Sequence, residues 1–320
     1  MTYGSGRIVR ATHVRDFAGN PSVGNNALSA HSNNTEASNK AGALWGIGYG
    51  QRGYGQTSPV INLPAVGDPV GAQEWDSLFS VMDLLAAHQN TAITSRSASS
   101  GGRVQAFPGL QSDLNDLDAN RFNTLGSPTW SKMATDTRSS SWSGSINSTA
   151  RIIWSSGDNA RFFFNAGGRI LLRPRHPVTS TPQDTDWNNV LATKVGDINV
   201  YAVTVNQTSA SSSAGTVFNR GYYNAAGSSQ LIYEGTNIGS GAYSVNDVGI
   251  RISRFSSANV SGNGDNGDTI DITITLNDQH TNTFFDQVSS GTFWEIWVGR
   301  YQDNGVNTPL PASVSFPNAF

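Results

Sequence analysis

From about residue 145 onward the chain is written in short segments of alternating apolar and polar residues, cut by Gly, Asn, Ser and Pro. No other feature constrains the fold as much. A two-residue period buries one face of a strand, and frequent turn residues between such segments point to a sandwich or barrel. RIIW (151–154), ARFFFN (160–165), INVYAVTV (198–205), QLIYEG (230–235), VGIRISRF (248–255), TIDITITL (269–276) and FWEIWVGR (293–300) read as strands. RILLRP follows ARFFFN after Asn165, Ala166, Gly167 and Gly168, so 160–174 reads as a hairpin with Asn165, Gly167 and Gly168 forming its turn. One short helix interrupts the series. Thr181 is a hydroxyl N-cap, Pro182 takes the first helical position, Asp184 the third, and Trp187, Val190 and Leu191 supply an apolar face.

Two further regions precede this part. In GAQEWDSLFSVMDLLAAHQ, Trp75, Leu78, Phe79, Met82 and Leu85 share one helix face, Glu74 sits in the first turn and His88 at the C-terminal end. Leu110, Leu114 and Leu117 predict a second, weaker helix around 110–123. Residues 1–65 have almost no periodicity but carry the aromatic repeat GYGQRGYGQ at 48–56. They read as an extended arm that orders against neighbouring subunits, with Trp45, Tyr49, Arg52 and Tyr54 as its interface residues. The expected class is therefore mainly β, in three parts: the arm (1–65), a helical segment and linker (66–145), and a C-terminal β-sandwich-like domain with a short inserted helix (146–320).

Composition narrows the function. Charged residues are 13% and the net charge is −3, against 10% aromatics that include eight Trp, which is not the signature of disorder. Among the cations 17 are Arg and three Lys; among the acids 19 are Asp and four Glu. Asp suits turns where Glu suits helices, and Arg is the preferred cation of interfaces. With no cysteine, disulfides, thiolate metal sites and thiol nucleophiles are excluded. No apolar leader, membrane-length apolar run or basic tract is present, so a soluble protein made in a cytoplasm, with neither membrane nor nucleic acid as partner, is expected.

A search for chemistry finds little. There is no GxSxG, HExxH or phosphate-binding glycine loop, the four Glu are isolated, and His13, His31, His88, His176 and His280 are scattered. Asn263, Asp265 and Asp268 in SGNGDNGD could offer oxygen ligands to calcium, but the twelfth position counted from Asn263 is Ile274 where an EF-hand needs Glu. A loop between strands explains the same residues. The chain is expected not to be an enzyme, with no catalytic, metal or cofactor-binding residue assigned and no cofactor.

Several motifs, taken in order, carry a resemblance. GYGQ (53–56), Trp75 with His88-Gln89, FFFNAGG (162–168), Asp186-Trp187, Gly221-Tyr222-Tyr223, AYSVNDVGIRISR (242–254), and a Gly/Asn/Asp loop before TIDITITLND (269–278) span about residues 49–280. In this order they resemble a family of tailed-bacteriophage virion proteins, common in marine and cyanobacterial phages, that sit in tails, baseplates or necks. This chain has Arg169 where that family has an acid after the double glycine. The resemblance implies a structural virion component, assembled in the host cytoplasm, whose partners are copies of itself (a trimer or hexamer) and other virion proteins. The alternative is a carbohydrate-binding, fibre-type host-recognition module, with Trp294, Trp297, Tyr222 and Tyr223 as candidate sugar platforms.

Overall fold

Strands of the C-terminal part pair into two antiparallel sheets. The computed structural model describes residues 11–19, 41–65, 67–100, 107–212, 214–255, 260–280, 287–302 and 304–320. In chain order the strands are β1 (Thr129–Thr137), β2 (Gly144–Ile153), β3 (Arg169–Arg175), β4 (Asp197–Val200), β5 (Val205–Thr208), β6 (Thr216–Val217), β7 (Gln230–Gly235), β8 (Asp247–Arg254), β9 (Thr269–Asp278), β10 (Phe293–Arg300) and β11 (Ser313–Asn318). One sheet has the order β1-β10-β3-β4-β5 and the other β11-β2-β9-β8-β7-β6. The first two strands pair with the returning β10 and β9, one in each sheet, so a long nested hairpin ties the two layers together. Within each sheet the remaining strands follow one another as meanders, β3-β4-β5 in one and β6-β7-β8-β9 in the other. The interior is one cluster fed by both sheets, with Ile170, Leu172, Ile296 and Val298 from one side and Ile152, Ile250, Ile272 and Ile274 from the other. The mainly β, sandwich-like expectation holds.

The period-2 pattern makes this core. In β9 the burial alternates along TIDITITLND, with Ile270, Ile272, Ile274 and Leu276 fully inside and the Thr and Asp residues between them turned out. A polar relay crosses the core at one end. The Trp294 indole donates to Ser148 Oγ at 3.0 Å, and Ser148 donates to the Asp136 carboxylate at 2.6 Å. This relay satisfies three buried polar groups that would otherwise be costly.

The helices are α1 (Ala11–Ala18), α2 (Ala41–Trp45), α3 (Ala72–Gln89), α4 (Phe107–Ala119), α5 (Gly157–Asn165) and α6 (Pro182–Asn189), the last continuing into a π-helical turn at Val190–Val195. The first four build a second core with Trp75, Leu78, Leu85, Leu114 and Leu117. The capping devices read from sequence are in place. Glu74 accepts from the Gly71 amide at 2.8 Å, and Thr181 and Asp184 form a reciprocal capping box. Among the described residues no helix is long and apolar enough to cross a membrane.

Four expectations need correction. ARFFFN is helix α5, not a strand, so residues 160–174 are a helix followed by β3 and not a hairpin. Asn165 ends that helix, while Gly167 and Gly168 cap it: Gly167 N donates to Phe164 O at 3.1 Å and Gly168 N to Phe163 O at 2.8 Å, the paired bonds of a Schellman motif. INVYAVTV is broken at 201–204 into β4 and β5. The β region also begins at Thr129, not near 146, and includes β1 and β11, which the sequence reading omits. Finally, the described part of the 1–65 region is no free arm, because Val14, Phe17, Leu44, Trp45 and Tyr54 lie inside the helical core. The rest of that region lies outside the described residues.

Candidate functional site

Helix α5 starts on Ser156, whose hydroxyl accepts from the Asn159 amide at 3.1 Å, and places Arg161 and Asn165 one turn apart on the side facing the 47–56 loop. Arg161 is fully buried. Its guanidinium donates to the carbonyls of Gly48, Ile47 (2.7 Å) and Arg52 (2.9 Å) and to Asp158 (2.7 Å). The Asn165 amide nitrogen lies within 3.1 Å of the carbonyls of Gly50, Arg52 and Gly53, and the Tyr223 hydroxyl donates to Gly50 O at 2.6 Å. Two residue pairs close the far side: the Gly50 amide donates to Asn263 O at 2.8 Å, and Asn263 donates to Asp158 at 2.9 Å. A planar fork with five donors suits a loop that turns several of its carbonyls inward. Gly53, with φ +94, has no room for a side chain, since a Cβ there would lie 2.7 Å from Gly46 O.

Four of the motifs quoted above therefore meet at one place. The GYGQRGYGQ repeat, which contains GYGQ, supplies most of the loop, FFFN the clamp, Tyr223 of GYY a third anchor, and the Gly/Asn/Asp loop the opposite wall. Tyr222 stacks on Phe164 with ring centroids 4.6 Å apart, and its hydroxyl donates to Gly267 O at 2.8 Å. Burial pushes the Tyr222 and Tyr223 phenols well above their ordinary range, so both stay protonated donors. The arrangement fastens the helical part to the sandwich. Its polar atoms are turned toward one another, which leaves little for a substrate to meet.

A second polar node forms around α6. His176 and Asp184 are both fully buried, with His176 Nε2 3.1 Å from Asp184 Oδ1 and His176 Nδ1 2.9 Å from Thr292 Oγ1. Thr292 Oγ1 accepts from the Trp142 indole at 3.0 Å. One set of proton positions satisfies the chain: indole to hydroxyl, hydroxyl to Nδ1, Nε2–H to carboxylate, with a neutral imidazole. Burial indeed pushes the His176 pKa below its ordinary value, against the pull of Asp184. Burial alone would raise Asp184, but hydrogen bonds from Ser180, from the Ser289 amide and hydroxyl, and from Thr181 outweigh it and hold the carboxyl well below the usual range. Hydroxyl, imidazole and carboxylate thus stand in line as in a hydrolase triad. Thr292, however, is wholly buried and already holds the indole proton, so the chain works as a cap for α6 and the 288–292 segment. Beside it, Gln183 donates to Asp278 at 2.6 Å and Asn246 to Asp186 at 3.3 Å, which absorbs the Asp186-Trp187 and VNDVG motifs as well.

The interface residues read from sequence are placed elsewhere than expected. Trp45 is buried with its indole donating to Pro59 O, and Tyr54 is buried with its hydroxyl donating to Arg121 O at 2.5 Å while accepting from Gln89. Arg52 makes a bidentate pair with Asp118 at 2.7 and 3.0 Å. Tyr49 is half-buried against Gly264. All four serve this chain's own packing. Of the candidate sugar platforms, Trp294 and Tyr222 are core residues and the Tyr223 hydroxyl is spent in the clamp, leaving Trp297 on an open face. In the 261–268 loop, Asp265 accepts from the Ser261 amide at 2.9 Å and the Gly267 amide at 2.8 Å, and Asp268 accepts from Thr269. Among the described residues no group of three or more His, Asp or Glu side chains is placed to hold a metal. His31 and the side chain of His13 lie outside the described residues.

One surface carries the chemistry that the nodes lack. Alternation in β10 sends Trp294, Ile296 and Val298 inward and Phe293, Glu295, Trp297 and Gly299 outward. Register sets Trp130, Gly299 and Arg169 in one row, Lys132, Trp297 and Leu171 in the next, and Glu295 beside Arg173. The Trp130 ring lies over Gly299, where a Cβ would come within 2.8 Å of it. The Arg169 guanidinium sits 5.3–5.6 Å from the ring centres of Tyr201, Tyr301 and Trp130, and Arg173 sits 5.3 Å from that of Trp297. Arg173 and Arg175 share Asp197 at 3.1 and 2.7 Å. Sequence reasoning missed this face because β1 is too polar to show as a strand, so Trp130 and Lys132 had no row to join. The available signal was the outward set in β10 and β3, which the alternation alone defines.

No family model, curated protein or solved structure matches this chain.

Proposed function

We propose that this chain is a non-enzymatic structural subunit of a tailed-phage particle, in its tail, baseplate or neck, and that it joins copies of itself and other virion proteins. One observation carries the reading most. Most of the motifs that resemble the virion family hold two buried nodes together, while Trp130, Trp297, Arg169, Arg173 and Arg175 gather on the outer face of the five-stranded sheet. Residues that fix architecture and a broad face rich in the side chains that dominate interfaces suit assembly. The imidazole and carboxylate that stand in catalytic order are sealed from solvent, which removes the best candidate for turnover. Imaging of intact particles with the chain tagged tests the proposal; a tag found at regular positions supports it, and absence from purified particles refutes it. Incubation with peptidoglycan, polysaccharide and peptide is expected to give no product. Trp297 keeps the carbohydrate-binding alternative in view, since it is the candidate platform left on an open face. Glycan-array binding lost in Trp297→Ala would favour that alternative.

A further inference from the structure

The open sheet face is cationic: Lys132, Arg169, Arg173 and Arg175 stand against the carboxylates of Asp197 and Glu295. The whole chain nevertheless has a net charge of −3, so the compensating negative charge lies elsewhere. Much of it is in the helical part, where residues 67–120 contain seven acids and two arginines. Asp76, Asp83 and Asp116 are exposed there, and Arg96 beside them is already paired with Asp113 at 2.5 Å. A face of this sign does not pack well on itself, because like charges brought together cost several kcal/mol. It does complement the acidic α3–α4 surface of another copy.

We infer that the outer face of the five-stranded sheet docks the acidic α3–α4 surface of a second copy of this chain. The inference rests on the assembly reading above and names the partner of that face. The contact is head-to-tail, using two different patches, so a pair of copies keeps one free patch of each kind and assembly proceeds to a ring where the rotation closes. Trp297 and Trp130 supply the apolar area, and the excess of cations over carboxylates on the face supplies the attraction to the acidic surface.

Sedimentation of the full chain at low and high salt tests this, with two variants. Lys132→Glu/Trp297→Ser alters the sheet face, and Asp83→Lys/Asp116→Lys alters the helical face. Wild type is expected to self-associate with concentration at low salt and to dissociate at high salt. Each variant alone should associate roughly 100-fold more weakly, as expected for several kcal/mol of unfavourable charge contact. An equimolar mixture of the two should stop at dimers, because only one intact pair of patches remains. Unchanged thermal melting confirms that both variants fold; should the sheet variant melt early, Lys132→Glu alone takes its place. Three outcomes overturn the inference: a helical variant that assembles like wild type, a mixture of folded variants that stays monomeric, or a wild type monomeric at both salts. A chain monomeric alone yet present in particles overturns only this contact, whereas a chain absent from particles overturns the assembly reading itself.

Discussion

Arginine serves the buried clamp and the open sheet face in opposite ways. Arg161 has no exposed side-chain surface and gives its donors to Asp158 and three backbone carbonyls. Arg173 keeps about a third of its side chain exposed, pairs with Asp197, and leaves a flat surface beside Trp297. Both are stacked on aromatic rings, Arg161 on Phe162 at 4.4 Å and Arg173 on Trp297 at 5.3 Å. The side chains are alike and their surroundings differ. A guanidinium whose fork is filled from within stabilises the fold, while one shared at a surface contributes little to stability and remains able to recognise a partner.

The strongest way to break that contrast is at the clamp. Arg161→Ala leaves the Ile47 and Gly48 carbonyls without that donor, whereas Arg52 O keeps Asn165 and the partly exposed Asp158 keeps Asn263. A buried acceptor left unsatisfied costs about 1–3 kcal/mol, so the two carbonyls together cost about 2–6 kcal/mol. Urea denaturation of the variant should show a loss in that range, with residues 47–56 becoming sensitive to protease. A loss as small as that of a surface arginine would mean that water already serves those carbonyls.

The second node offers a sharper test through pH. Burial holds His176 below its ordinary pKa, so the unfolded chain takes up that proton first and stability falls as pH drops below about 6.5. Asp184 is held below the carboxylate range by its hydrogen bonds, so a further loss sets in below about pH 4. Asp184→Asn should remove the lower step and cost about 2–4 kcal/mol at neutral pH, because an amide cannot accept all five donors that the carboxylate serves. Denaturation midpoints measured across pH check both statements. A variant whose acid limb matches wild type would remove Asp184 from the account.

Much of the sandwich was legible and the clamp was not, for physical reasons. Strands such as β8 and β9 alternate strictly and bury one face completely, so periodicity alone defines them. Helices α3 and α6 carry their caps in the sequence. Helix α5 was misread because Phe162, Phe163 and Phe164 favour strands, although Ser156, Asp158 and Gly167 were present as start and stop signals. Strands β1 and β11 are half-exposed edge strands with mixed burial and carry no clear alternation. Trp45 and Tyr54 look like interface anchors in a glycine-rich stretch, since only the folded α3 and α4 show what covers them. The clamp joins residues more than a hundred positions apart through backbone carbonyls, and no local pattern encodes such a partner.

The Schellman cap of α5 lies between the two regions and predicts an intermediate effect. A Cβ on Gly168 would lie 2.4 Å from Phe163 O, the atom that accepts the Gly168 amide. Gly168→Val should therefore lower stability by about 1–3 kcal/mol, because the added side chain overlaps the Phe163 carbonyl and ring. Because Arg161 and Asn165 ride on the same helix, the variant should also raise hydrogen exchange in the 47–56 loop, which a local turn defect would not do.

The smallest effects on stability are expected on the outer faces of the sandwich, where a comparison with the six-stranded sheet isolates function from folding. That sheet turns Thr149, Thr273, Thr275 and Asn277 outward, with Thr149 and Thr273 hydroxyls 2.8 Å apart. Thr273→Ala removes one cross-strand pair and should cost about 0.5 kcal/mol, within the range for such pairs. Trp297→Ala removes the cation–π contacts of Arg173 and Lys132 and should cost about 1 kcal/mol. Melting temperatures of the two variants will then differ little. Incorporation into particles should separate them, because a truncated aromatic anchor weakens an interface and a threonine on a hydrated face does not. Equal incorporation of both variants would show that the five-stranded face is as idle as the other, and the contrast between filled and open arginines would then concern folding alone.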